Sequence, residues 1–181
     1  SQNTRELKEI SNQRNKLSNF FKTIQGKPES YIDTIISISI GGSRLGPELL
    51  SQVYGNPYSK IKVHYCSSYD FIELENVMSV RNPARTLVVI SSKSFNTPEV
   101  IENANKAKDW LESLVGEHCW DQIIGISSNK DGMTEFGIQE VNQFEILDSI
   151  GGRYSIWSSI SLPAIVDMGW KGFEEFLETK A

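Results

Sequence analysis

At 181 residues the chain is long enough to bury a substantial core, and one domain is the default expectation. A net charge of −5, with no basic run interleaved with aromatics, excludes a general nucleic-acid surface, because phosphate-backbone binding needs clustered Lys and Arg. It leaves room for a small phosphorylated metabolite, which backbone amides at a helix start can hold locally. No apolar run reaches membrane-spanning length, and the opening Ser1–Lys16 is polar and charged. No membrane partner and a cytoplasmic location are therefore expected. Cys66 and Cys119 are isolated, and the pairs His64/Cys66 and His118/Cys119 lack the spacing of a structural metal site. Both cysteines read as small buried hydrophobes in a reducing compartment, and no metal is expected.

In chain order, Thr4–Gln25 is an amphipathic helix with Leu7, Ile10, Leu17, Phe20, Phe21 and Ile24 on one side, stopped near Gly26-Lys27-Pro28. Its stripe is interrupted at Arg14, so it is expected either on the outside of the domain or against something absent from this sequence. Residues 1–28 form this leading helix and linker, and 29–181 form the main domain. Asp33–Ile40 is a buried strand, followed by the turn Gly41-Gly42-Ser43-Arg44-Leu45-Gly46-Pro47 and a helix through Leu49, Leu50 and Val53. Two glycines permit either a tight turn or close approach of a ligand to the backbone. The G-x-G-x-x-G dinucleotide fingerprint is absent. Ile61–Cys66 is a short strand carrying His64 on one side, and a helix spans about 69–80.

Arg85–Ile90 is a β-branched buried strand, and Val100, Ile101, Ala104, Ala107, Trp110, Leu111, Leu114 and Val115 mark a helix with one buried face. Between them lies Ser91-Ser92-Lys93-Ser94-Phe95-Asn96-Thr97-Pro98-Glu99. Thr97 reads as an N-cap with Pro98 at the first helical position. A hydroxyl-rich strand-to-helix turn with one lysine suits a phosphate, and it equally suits an ordinary cap and loop. Gln122–Ser127 is a further buried strand, Ser128–Gly132 a polar turn, and Phe144–Leu147 a short additional strand. Asp148-Ser149-Ile150-Gly151-Gly152-Arg153-Tyr154-Ser155 then sets two glycines before an arginine, a bend that can aim a guanidinium inward; Asp148 could instead hold Arg153 in a structural pair. Ile160–Val166 and Phe173–Leu177 close the sequence as two helices that look like packing surface. Strands alternating with helices predict a parallel sheet covered on both faces, with ligands beyond the carboxyl ends of the strands.

Three of these stretches together resemble the glucose-6-phosphate isomerase family. Gly41–Pro47 matches its G-G-S-x-L-G-P turn, Ser92–Glu99 resembles S-K-T-F-T-T-Q-E, and Phe144-Glu145, Asp148 and Gly151–Ser158 match F-E…D-x-x-G-G-R-Y-S-x-W-S. The resemblance implies a sugar-isomerase (SIS) domain: an α/β, three-layer, flavodoxin-like sandwich with a central five-stranded parallel sheet. It implies phosphate ligation by Ser92, Lys93, Ser94 and Thr97, with Asn96 in the same turn, and Gly42 and Ser43 beside the substrate. Arg153 would stabilise the enediolate. Ser94 and Asn96 each replace a family Thr and stay polar; Pro98 replaces Gln and removes one backbone donor.

The implied substrate is a hexose 6-phosphate, the implied reaction the aldose–ketose isomerisation of glycolysis and gluconeogenesis, and the implied cofactor none. The family's base lies in a G-N-x-E-S motif that this sequence does not contain. The chain is accordingly expected to be the first SIS domain of a larger isomerase, a homodimer at full length, and inactive alone. The alternative is a stand-alone phosphosugar-binding or sensor module.

Overall fold

The computed structural model describes residues 2–26, 32–67, 71–147 and 152–178. Five strands form one sheet in the order β2-β1-β3-β4-β5: β1 (Thr34–Ser39), β2 (Lys62–Cys66), β3 (Thr86–Ser91), β4 (Ile123–Ser127) and β5 (Gln143–Glu145). Every neighbouring pair is parallel. The three central strands are buried along their whole length, which is why their sequences are near-continuous Ile, Val and Leu rather than alternating.

Pleating sends alternate side chains to two separate cores. Ile35, Leu87, Val89, Ile124, Ile126 and Phe144 face one core. Over it lie α1 (Gln2–Gly26), α6 (Leu162–Met168) and α7 (Trp170–Glu178), through Leu17, Phe21, Ile24, Ile165 and Phe173. Ile36, Ile38, Val88, Ile90 and Ile123 face the other, covered by α3 (Ile72–Val80), α4 (Pro98–Val115) and α5 (Lys130–Phe136) through Leu74, Val100, Ala104, Ala107, Leu111 and Met133. The helix α2 (Gly42–Tyr54) packs against α6. This is the three-layer α/β sandwich with five parallel strands that the resemblance implied.

Three expectations need correction. The leading helix is not confined to the outside: its second half sits in the core, and Lys16 Nζ donates to the Gln143 carbonyl at 2.7 Å. Only its first half leaves apolar groups in solvent, at Leu7 and Ile10. The supposed polar turn Ser128–Gly132 contains the start of α5, because Asn129 caps the helix by accepting from the Gly132 N–H at 2.9 Å. The helix expected over Ile160–Val166 begins instead at Leu162, with Ser159–Ser161 forming a tight 3-10 turn before it, as Gly152–Trp157 also does further upstream.

Gly125 explains how α5 sits so low on β4. A Cβ there would lie 2.7 Å from Ile138 Cδ1 and 2.8 Å from Met133 Sδ, so a side chain would push the cover off the sheet.

Candidate functional site

The chain leaves β1, forms α2, returns as β2 on one side of β1, and then crosses to β3 on the other side. Strand order therefore reverses between β1 and β3, the place where open α/β sheets form a ligand crevice. Their carboxyl ends are level, with Ser39 opposite Ser91 in register. Immediately beyond lie the two stretches singled out by sequence, Gly41–Gly46 and Ser92–Thr97; the first is a turn only at Gly41, because α2 already begins at Gly42 where the sequence suggests a turn through Pro47. The two strands that lead into these stretches are direct neighbours, a relation that local sequence patterns do not give.

In the first turn Gly41 holds φ 57° and ψ −133°, a backbone shape that a Cβ disfavours even though no atom crowds the position. Its carbonyl accepts from the Arg44 and Leu45 N–H groups at 3.1 and 2.9 Å, starting α2 directly at Gly42. Gly42 and Ser43 are half-buried at that helix start. Arg44 turns sideways, pairing with Glu48 at 2.9 Å and Glu73 at 3.3 Å and bonding the Ser67 hydroxyl, which ties this turn to the one after β2.

In the second turn Ser92 is buried and continues the ladder, its N–H donating to the Ile126 carbonyl at 3.1 Å. Lys93, Ser94 and Asn96 are exposed. Thr97 occupies the capping position with Pro98 next, as the sequence predicts, but its hydroxyl makes no capping bond. It lies 3.1 Å from Ser92 Oγ instead. The first amides of α4 thus have no side-chain cap from Thr97, and the helix dipole there stays uncompensated by that group. Glu99 falls in the same first turn.

The third stretch is placed by its backbone. The turn Gly152–Trp157 packs on α2, and a Cβ at Gly46 would stand 3.5 Å from Ile156. Arg153 belongs to this turn. Its side chain lies outside the described residues, as do Asp148 and Gly151 and hence any Asp148–Arg153 pair.

Sequence reasoning gave no role to Phe95 or to the polar stretch after β4, which it read only as a turn. Phe95 adopts a left-handed φ of 50° while its ring is buried against Phe136, 5.9 Å between centroids. The Ser127 and Ser128 hydroxyls both donate to the Lys93 carbonyl, at 2.8 and 2.9 Å, and Asn129 Nδ2 donates to the Ser94 carbonyl at 2.9 Å. The available signal was positional: Ser127-Ser128-Asn129 is a third polar turn at a strand's carboxyl end.

Away from the crevice, burial pushes the Cys66 thiol up to about 12 and also raises Cys119, so both are inert and protonated at neutral pH. Among the described residues no group of side chains could hold a metal ion, and no helix is long and apolar enough to cross a membrane.

A doubly wound sheet with two polar stretches at its switch point defines the class: an open α/β protein of the kind whose ligands bind at the carboxyl ends of the strands. The comparisons narrow that class. The family model for phosphoglucose isomerase matches residues 2–181. The chain is 37% identical over 158 residues to a glucose-6-phosphate isomerase of Helicobacter pylori, covering 84% of this chain and 29% of that protein. It is 40% identical over 148 residues to a glucose-6-phosphate isomerase of Bartonella bacilliformis, covering 81% and 27%. A crystal structure of a glucose-6-phosphate isomerase from Chlamydia trachomatis shares the fold with a TM-score of 0.79 at 24% identity, over 93% of this chain and 33% of that one. The chain belongs to the phosphoglucose isomerase family and spans under a third of the length of these curated relatives.

Proposed function

We propose that this chain supplies the phosphosugar-binding part of an isomerase that interconverts glucose 6-phosphate and fructose 6-phosphate through an enediolate. One observation carries the reading: the turns Gly41–Gly46 and Ser92–Thr97 leave adjacent strands at the switch point. Family membership supports it.

In this reading Ser92, Lys93, Ser94, Asn96 and Thr97 bind the phosphate with hydroxyl, amide and ammonium groups. Gly42 and Ser43 lie beside the sugar, where the absence of a side chain at Gly42 lets the backbone approach. Arg153 stabilises the negative charge that develops on the substrate oxygens when a base removes the proton from C2 or C1. Such a positioned donor contributes on the order of 3–4 kcal/mol to the transition state. No carboxylate here stands in the family's G-N-x-E-S base motif, so the chain binds and stabilises charge but does not turn substrate over alone. The homodimer of the longer enzyme is part of the same proposal. Leu45, Leu49 and Val53 form an exposed apolar stripe on α2 that such a partner would cover.

A thermal-shift titration tests the reading, because a ligand that binds only the folded state raises the melting temperature with its concentration. Fructose 6-phosphate should raise it, unphosphorylated fructose should not, and Lys93→Ala should diminish the effect. Equal shifts with both sugars would contradict phosphate capture, and isomerase turnover by this chain alone would contradict the division of roles.

A further inference from the structure

The turn assigned to the phosphate is itself held from the neighbouring strand. The Lys93 carbonyl accepts from Ser127 Oγ at 2.8 Å, from Ser128 Oγ at 2.9 Å and from the Ser128 N–H at 3.2 Å. One residue on, the Ser94 carbonyl accepts from Asn129 Nδ2 at 2.9 Å, while Asn129 Oδ1 accepts from the Gly132 N–H at 2.9 Å. In a planar trans peptide the carbonyl and the following N–H point in opposite directions. Fixing the Lys93 and Ser94 carbonyls toward the end of β4 therefore turns the N–H groups of Ser94 and Phe95 away from it.

Phe95 anchors the far side of the turn, with its left-handed φ of 50° and its ring buried against Phe136. Successive amides beside a left-handed residue make the concavity in which anions bind. An unheld turn would have to be ordered by the ligand, at a cost to affinity. Ser127 is fully buried, and its hydroxyl also accepts from the Asn129 N–H at 3.0 Å, so the clamp is rigid on its own side.

We infer that Ser127, Ser128 and Asn129 are positioning residues for phosphate capture, holding two carbonyls so that the Ser94 and Phe95 amides face the anion. The inference rests on the phosphosugar reading above. It adds residues that touch no ligand and act through the backbone of the turn.

Two variants separate the clamp from stability. Asn129→Ser keeps a capping hydroxyl for α5 but cannot reach the Ser94 carbonyl. Ser128→Ala removes one donor from Lys93 and leaves the cap intact, which keeps the test decisive if the first variant folds poorly. Inorganic phosphate and fructose 6-phosphate are titrated into the parent and both variants, following the Ser94 and Phe95 amide resonances, with melting temperatures measured alongside. Asn129→Ser should weaken both ligands about five- to tenfold, the scale of one lost hydrogen bond, and abolish the ligand-induced shift at the Phe95 amide. Its melting temperature should stay near the parent's. Ser128→Ala should act in the same direction and less. Unchanged affinities and shifts in the folded variants would overturn the positioning role and leave the phosphate reading intact. A parent chain whose Ser94 and Phe95 amides respond to neither ligand would overturn both.

Discussion

At the scale of single residues, the second turn divides its work between exposed groups that can meet a ligand and buried ones that fix the backbone. Lys93 and Ser94 face solvent, while Ser92 and Phe95 are buried on either side of them. The exposed set was legible in the sequence because hydroxyls and a lysine before a helix have an obvious chemistry. Two other roles were not: that of Phe95 depends on a left-handed backbone and a ring partner 41 positions away, and that of half-buried Asn129 on a carbonyl across the sheet edge. Arg153 is the reverse case, conspicuous in sequence and placed only through its backbone. Its proposed role predicts selectivity for charge at the reacting end of the sugar. Arg153→Ala should weaken a sugar-acid phosphate, whose carboxylate carries enediolate-like charge, at least tenfold more than fructose 6-phosphate, a difference of about 1.4 kcal/mol. Calorimetric titration of both ligands checks it, and equal losses would make Arg153 a general binding residue.

Among the elements, the three central strands were readable as apolar β-branched runs because both their faces are covered, and the longer helices by spacing. The start of α5 was hidden because Asp131-Gly132 looks like a turn, whereas the Asn129 cap overrides that local preference. The edge strand β2 carries the element-scale prediction. His64 is half-buried there and its Nε2 has no hydrogen-bond partner among the described residues. Burial, reinforced by the charge of Arg81, lowers its pKa from 6.5. The unfolded chain then binds the extra proton more readily, so stability contributed by neutral His64 is complete above 6.5 and declines as pH falls through that value toward the lowered one. Urea unfolding at stepped pH should show this decline, and His64→Gln should flatten it. An identical pH profile in the variant would contradict the assignment.

For the whole molecule, the fold was legible as a covered parallel sheet, but the neighbour relation of β1 and β3 was not, since local periodicity does not encode strand order. That relation puts the two motifs at the ends of adjacent strands: the winding reverses between them, and Ser39 stands opposite Ser91. The turn carrying Arg153 packs against α2. The most direct test is a crystal structure of this chain with fructose 6-phosphate. The phosphate should sit within hydrogen-bonding distance of the Ser94 and Phe95 amides, with the sugar running toward Gly42 and its reacting carbons toward Arg153. A phosphate bound elsewhere, or an Arg153 guanidinium directed out of the β1–β3 crevice, would contradict the account.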